Sequence, residues 1–159
     1  MKKRTIANPN TASVNLIVGT FNGATANGIP YTTAAFDKNS LKSSQQGQVT
    51  VPDPQTLKVM TPGGVVKMTI GVIDGNKVED YYPIGMFATG LDSETNLNNF
   101  PKDYVDVSDG TLTFIDTCYT LKQKFEFYVV IQRARDKAIA IIDPGITHDN
   151  SGLGGKRRR

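Results

Sequence analysis

The sequence predicts an all-β fold: an antiparallel β-sandwich or jelly roll of about eight short strands with long polar arms. Three observations predict it. Turn signals recur about every ten residues between short apolar runs. Within the runs, apolar and polar residues alternate, as in antiparallel sheets with one wet face. The 15 Gly and 8 Pro, with abundant Asn, Thr and Ser, suit strands and turns better than helices. At 159 residues, 38% of them apolar, the chain has the size of one domain with a modest core.

Residues 1–12 read as a basic N-terminal arm with a turn at Asn8-Pro9-Asn10. The β domain spans 13–145. Its first strand is Ser13 to Phe21, where Val14, Leu16 and Val18 alternate with their neighbours, and Asn22-Gly23 turns the chain. Residues 24–48 scatter Ile29, Tyr31, Phe36 and Leu41 without a sustained period. They read as an extended polar arm or loop, disordered or lying on a neighbouring subunit, because so long a structureless loop is unusual inside a compact domain. Short strands follow at Gln48–Val51 and Leu57–Met60. Val65 to Ile73 is a firm strand, with Val66, Met68, Ile70 and Val72 on one face. Asp74-Gly75 predicts a hairpin that returns through Lys77 to Tyr82.

Further strands are expected at Ile84–Thr89, Tyr104–Val107 and Thr111–Thr120. The last has an alternate set, Leu112, Phe114, Asp116 and Cys118, interrupted by its carboxylate. Lys124 to Pro144 is the most apolar stretch and reads as a hairpin. Phe125, Phe127, Val129 and Ile131 share its inner face, the turn lies at Arg133–Lys137, and Ala138–Ile142 returns. Residues 146–159 form a Gly-rich basic C-terminal tail.

The formal charge is +3, but its distribution is uneven. Lys2, Lys3 and Arg4 open the chain, and Lys156, Arg157, Arg158 and Arg159 close it. Between them, 11 basic residues face 15 acidic ones, so the body is formally −4 and the ends are cationic. MKKR is followed by TIANPNTAS where a signal peptide needs an apolar stretch. No run approaches the ~18 apolar residues of a membrane-spanning helix.

No catalytic or metal signature is present, and no cofactor is expected. The single histidine, His148, falls in the Gly-rich tail, where a general base would not be held to geometry. The single cysteine, Cys118, sits among apolar strand residues and reads as an inert buried thiol. A Cys/His cluster of the zinc type is missing from the sequence pattern. Trp is absent, which lowers a glycosidase or lectin reading. Arg133, Arg135 and Lys137 alternate, so an extended backbone would point them one way beside Phe125, Phe127 and Tyr128, as in binders of single-stranded nucleic acid. The plainer reading is a charged hairpin tip that blocks edge pairing. The tails are the stronger nucleic-acid candidates, because adjacent cations on a tether neutralise phosphates without reading sequence.

Taken together, the MKKR start, the polar arm 24–48, the strand series from Val65 to Ile142 and the KRRR end give the chain a character that resembles bacteriophage and viral virion proteins. The resemblance implies a non-enzymatic structural subunit: a capsid, capsid-decorating or head–tail connector protein, made in the host cytoplasm and resident in the virion. Its partners would be other copies of itself and other virion proteins, without a membrane. Contact with nucleic acid or an acidic neighbour is assigned to Lys2, Lys3, Arg4, Arg133, Arg135, Lys137, Lys156, Arg157, Arg158 and Arg159. The alternatives are a single-strand nucleic-acid-binding β-barrel and a carbohydrate-binding β-sandwich.

Overall fold

The computed structural model describes residues 9–22, 30–44, 49–60, 65–89, 98–108, 110–120 and 123–148. Its strands, in chain order, are β1 (Asn10–Asn22), β2 (Tyr31–Ser43), β3 (Val49–Asp53), β4 (Thr56–Val59), β5 (Val66–Asp74), β6 (Tyr81–Thr89), β7 (Asp106–Ser108), β8 (Thr111–Asp116), β9 (Lys124–Arg133), β10 (Ile139–Ile142) and β11 (Gly145–His148). The all-β expectation is met. The pairing order is β3-β4-β11-β9-β10-β2-β1-β5-β8-β7, with β6 on the other edge of β9.

The ladder folds into a sandwich-like pair of leaves. One leaf is β7-β8-β5-β1-β2; the other is β6-β9 with β10, β11, β4 and β3. Among the described residues, the strand pairing that joins them is the Ile141–Tyr31 bridge, and the Phe36 N–H also bonds the Pro54 carbonyl across the same gap. Inside, Phe36 of β2 and Phe114 of β8 lie against Phe127 of β9, with ring centroids 6.5 and 5.8 Å apart. Phe114, Phe125, Phe127, Leu16, Met68, Ile70 and Ile131 are among the fully buried side chains. Each such side chain contributes about 1.5–3 kcal/mol through the area it removes from water.

β9 is the hub. β6 pairs along one edge from Arg133 to Glu126. The opposite edge is shared: β10 takes Val129 to Gln132 and β11 takes Lys124 to Glu126. Asp143-Pro144 carries the chain from one to the other, and the Pro144 carbonyl accepts the Phe127 N–H. The Lys124–Pro144 region was expected to be a central hairpin, and β9 and β10 form it.

Several expectations are corrected. Among the described residues there are 11 strands, not about eight. The sheet is mixed, because β1/β5, β10/β2 and β11/β4 are parallel. The polar arm 24–48 contains β2, a 13-residue strand between β1 and β10. Its inward residues are Thr32, Ala34 and Phe36, too small and too polar for the period to stand out. Its irregularity has a local cause. The Ser40 hydroxyl donates to the Asp37 carbonyl and accepts the Asn15 N–H, in the stretch where the β1/β2 register shifts.

The return predicted at Lys77–Tyr82 does not pair with β5. Asp74 instead closes the turn on itself: its carboxylate accepts N–H bonds from Asn76, Val78 and Glu79. Those bonds, that of Glu79 foremost, hold its pKa below the ordinary value. The chain then crosses to the other leaf as β6. Finally, β1 begins at Asn10, inside the expected N-terminal arm, and β11 reaches His148, inside the expected tail.

Candidate functional site

The site grows from the end of β8. That strand alternates until Phe114, Ile115 and Asp116, which are all buried. Asp116 stays in the ladder opposite Val66 and projects a carboxylate into the interior. Beyond it the backbone bends sharply. The Asp116 Oδ1 accepts the Cys118 N–H at 2.8 Å, and Cys118 adopts a left-handed φ of 49°. A non-glycine residue held there marks a backbone that its surroundings over-determine.

Asn99 holds the corner in place. Its carbonyl accepts the Thr117 N–H, its Oδ1 accepts the Thr120 N–H, and its Nδ2 donates to the Thr120 hydroxyl. The Thr120 carbonyl is thereby aimed at β11. There His148 pairs with Val59 of β4, and its own N–H bonds the Gln123 carbonyl. Its ring enters the corner: Nε2 is 2.8 Å from Asp116 Oδ2, and Nδ1 is 2.6 Å from the Thr120 carbonyl oxygen. Phe125 and Phe100 wall the ring at 5.0 and 6.1 Å.

Both ring nitrogens of His148 therefore face acceptors. Only a ring protonated on both nitrogens donates to both at once, with Asp116 as its counter-charge. Burial, the largest single influence, pulls the histidine pKa down. The Asp116 hydrogen bond and charge and the Thr120 carbonyl together outweigh it, and the pKa lies above the ordinary value. Cys118 experiences the reverse. Burial first, then the charge and hydrogen bond of Asp116, push its thiol far above the ordinary range.

This arrangement is not a nucleophile with its base. The Cys118 thiol is hydrogen-bonded to Asp116, and both histidine nitrogens are already held. Its donor set is one that could hold a metal ion: Asp116, Cys118 and His148 offer ligand atoms that all lie within 4.8 Å of one another. Sequence reading missed the convergence. It treated His148 as tail and Cys118 as isolated, whereas β11 carries His148 back across 30 residues to the same carboxylate. The legible signal was Asp116 itself, the charged interruption in an apolar alternation.

The hairpin cations are placed differently from the expectation. Arg133, Arg135 and Lys137 do not form an extended row, because the chain turns after Arg133 and Lys137 has a φ of 61°. Arg133 bonds the Asp136 carboxylate at 3.0 and 2.6 Å and lies over the Phe21 ring. Arg135 pairs with Glu79 at 3.1 Å. Phe125 and Phe127 are buried, so neither offers a face to a base. Lys2, Lys3, Arg4, Lys156, Arg157, Arg158 and Arg159 lie outside the described residues.

A second feature lies on the outer surface of the β9 leaf. Tyr82, Ile84 and Phe87 of β6, Ile139 of β10 and Tyr31 of β2 are all exposed. Tyr128, Val130 and Ile141, half-buried, lie among them, in register with Phe87, Gly85 and Tyr31 respectively. The Phe87 and Tyr128 rings stack at 4.6 Å. The result is one apolar face running across four strands. The outer face of the other leaf carries Asn15, Ser40, Lys42, Thr69 and Thr111 along a shallow groove, with Ile73 and Val107 exposed elsewhere on the same leaf. Among the described residues, no helix is long and apolar enough to cross a membrane. The chain matches no protein-family model and no curated protein.

Proposed function

We propose that the chain is a non-enzymatic assembly subunit whose β9 leaf is covered by other copies of the chain or by partner proteins. The observation that carries this reading is the apolar outer face of Tyr31, Tyr82, Ile84, Phe87 and Ile139. Monomers rarely expose contiguous apolar patches of that kind, and such patches mark association surfaces. Within this class the chain fits a virion component: a capsid, capsid-decorating or head–tail connector protein. The cationic ends then contact nucleic acid or an acidic neighbour, and many copies turn a weak contact into a strong one. The reading as a single-strand-binding barrel is weaker, because Arg133 and Arg135 are paired with carboxylates and Phe125 and Phe127 face inward.

Light scattering and negative-stain microscopy across a concentration series test the proposal. Concentration-dependent, ordered oligomers support it. A monomer at every concentration, at low and high salt alike, overturns it.

A further inference from the structure

We propose that Asp116, Cys118 and His148 form a binding site for a zinc-class divalent cation. The chain has one cysteine and one histidine, and the fold brings both to one buried carboxylate. Cys118 is part of the apolar core, but Asp116 and His148 are polar side chains in the interior, where apolar residues would sit at lower desolvation cost. Yet all three are buried, at 2% exposure or less.

The chemistry of the set fits one class of ion. Thiolate, imidazole and carboxylate together select zinc and its neighbours over magnesium or calcium, which take oxygen ligands. The supporting contacts are those that a ligating histidine uses. Nδ1 is turned to the Thr120 carbonyl, which fixes the ring and leaves Nε2 facing Asp116 Oδ2. The second oxygen of Asp116 is held by the Cys118 N–H, and the left-handed backbone of Cys118 keeps its side chain at the corner.

Ligand atoms around tetrahedral zinc lie roughly 3.3–3.6 Å apart. The present cluster spans 2.8 Å between Nε2 and Oδ2 to at most 4.8 Å across the set, so sub-ångström to one-ångström shifts bring it into shape. The ion takes the place of the proton between Nε2 and Oδ2 and of the thiol proton. The fourth position falls to water, as in zinc sites with three protein ligands. Solvent is close, because Tyr119, between Cys118 and Thr120, is 71% exposed. Two strands and a corner would be tied by one ion: β8 through Asp116, the turn after it through Cys118, and β11 through His148.

Cobalt(II) is the probe, added to the full chain after chelator treatment. The expected result is one cobalt per chain, with a thiolate-to-metal charge-transfer band and visible bands of tetrahedral intensity. Zinc should bleach them stoichiometrically and raise the Tm. Cys118→Ser keeps the size and the hydrogen bond to Asp116; it should retain the native circular dichroism and lose the charge-transfer band. His148→Gln should weaken cobalt binding at least tenfold. Absence of the band from folded wild-type protein at saturating cobalt overturns the site. So does a zinc-induced rise in Tm that is equal in wild type and Cys118→Ser.

Discussion

His148 and Asp116 meet at 2.8 Å in the interior, 32 positions apart, with the other histidine nitrogen on the Thr120 carbonyl. The pair fastens the last described strand to the end of β8. Removing one partner leaves the other buried without its hydrogen-bond and charge partner. Asp116→Ala or His148→Ala is therefore expected to cost about 3–5 kcal/mol. Chemical denaturation of metal-free protein checks this, and a loss below about 1 kcal/mol would show that the pair is not a charged one.

The same pair gives the stability a pH dependence. The folded pKa of His148 is raised, so its contribution is fully present below the unfolded value near 6.5. It is lost as pH rises through the folded pKa. In chelator, the Tm of wild-type protein is expected to fall as pH rises from 6.5 through the raised folded pKa. In His148→Gln that fall should flatten. An unchanged slope in the variant would assign the dependence to other groups.

Cys118 is 2% exposed, with its thiol pKa pushed up by burial and by Asp116. Disulfide reagents attack the thiolate and need access. In the native, metal-free protein Cys118 is expected to react only as fast as the structure opens. Mild denaturant should accelerate labelling in step with unfolding. Rapid reaction at pH 7 without denaturant would contradict the packing of the corner.

Phe87 and Ile139 are exposed on the apolar face. Phe87→Asp with Ile139→Asp should cost the dissociated chain about 1 kcal/mol, chiefly the lost stacking of Phe87 on Tyr128, and leave it folded. Association should fall by an order of magnitude or more in sedimentation. A variant that assembles like wild type would move the interface elsewhere.

The terminal cations separate from the hairpin cations by salt dependence. Replacing Lys156, Arg157, Arg158 and Arg159 with glutamine should lower the slope of log affinity for single strands against log salt by about 3. Arg135→Gln should change it little, since Glu79 already neutralises that side chain. The opposite ranking would favour the hairpin as the nucleic-acid contact.

The strands with strong alternation were legible: β5 through Val66, Met68, Ile70 and Val72, and β9 through Phe125, Phe127, Val129 and Ile131. Large apolar residues at period two leave little alternative. β2 was not legible, because its inward positions include threonine and alanine. Nor was the order of strands. A turn signal such as Asp74-Gly75 shows where the chain turns, but not which edge it next meets, and here it led away from β5 to β9. The cluster was half legible. Asp116 stood out in β8, yet its meaning depended on β11 lying beside β4, a pairing across 89 positions that no local pattern encodes.

That pairing also orders events at the ribosome. Among the described strands, β3 and β4 pair with the rest of the ladder through β11, at Gly145–His148, beside a bond from the Phe36 N–H to the Pro54 carbonyl. Val49–Val59 is complete early in synthesis, but the edge of β4 away from β3 has no strand partner until β11 has left the exit tunnel. Until then β4 presents an open edge, the kind that templates wrong associations. Nascent chains keep that edge open until Gly145–His148 has emerged, and closure of β11 is the step that seals it.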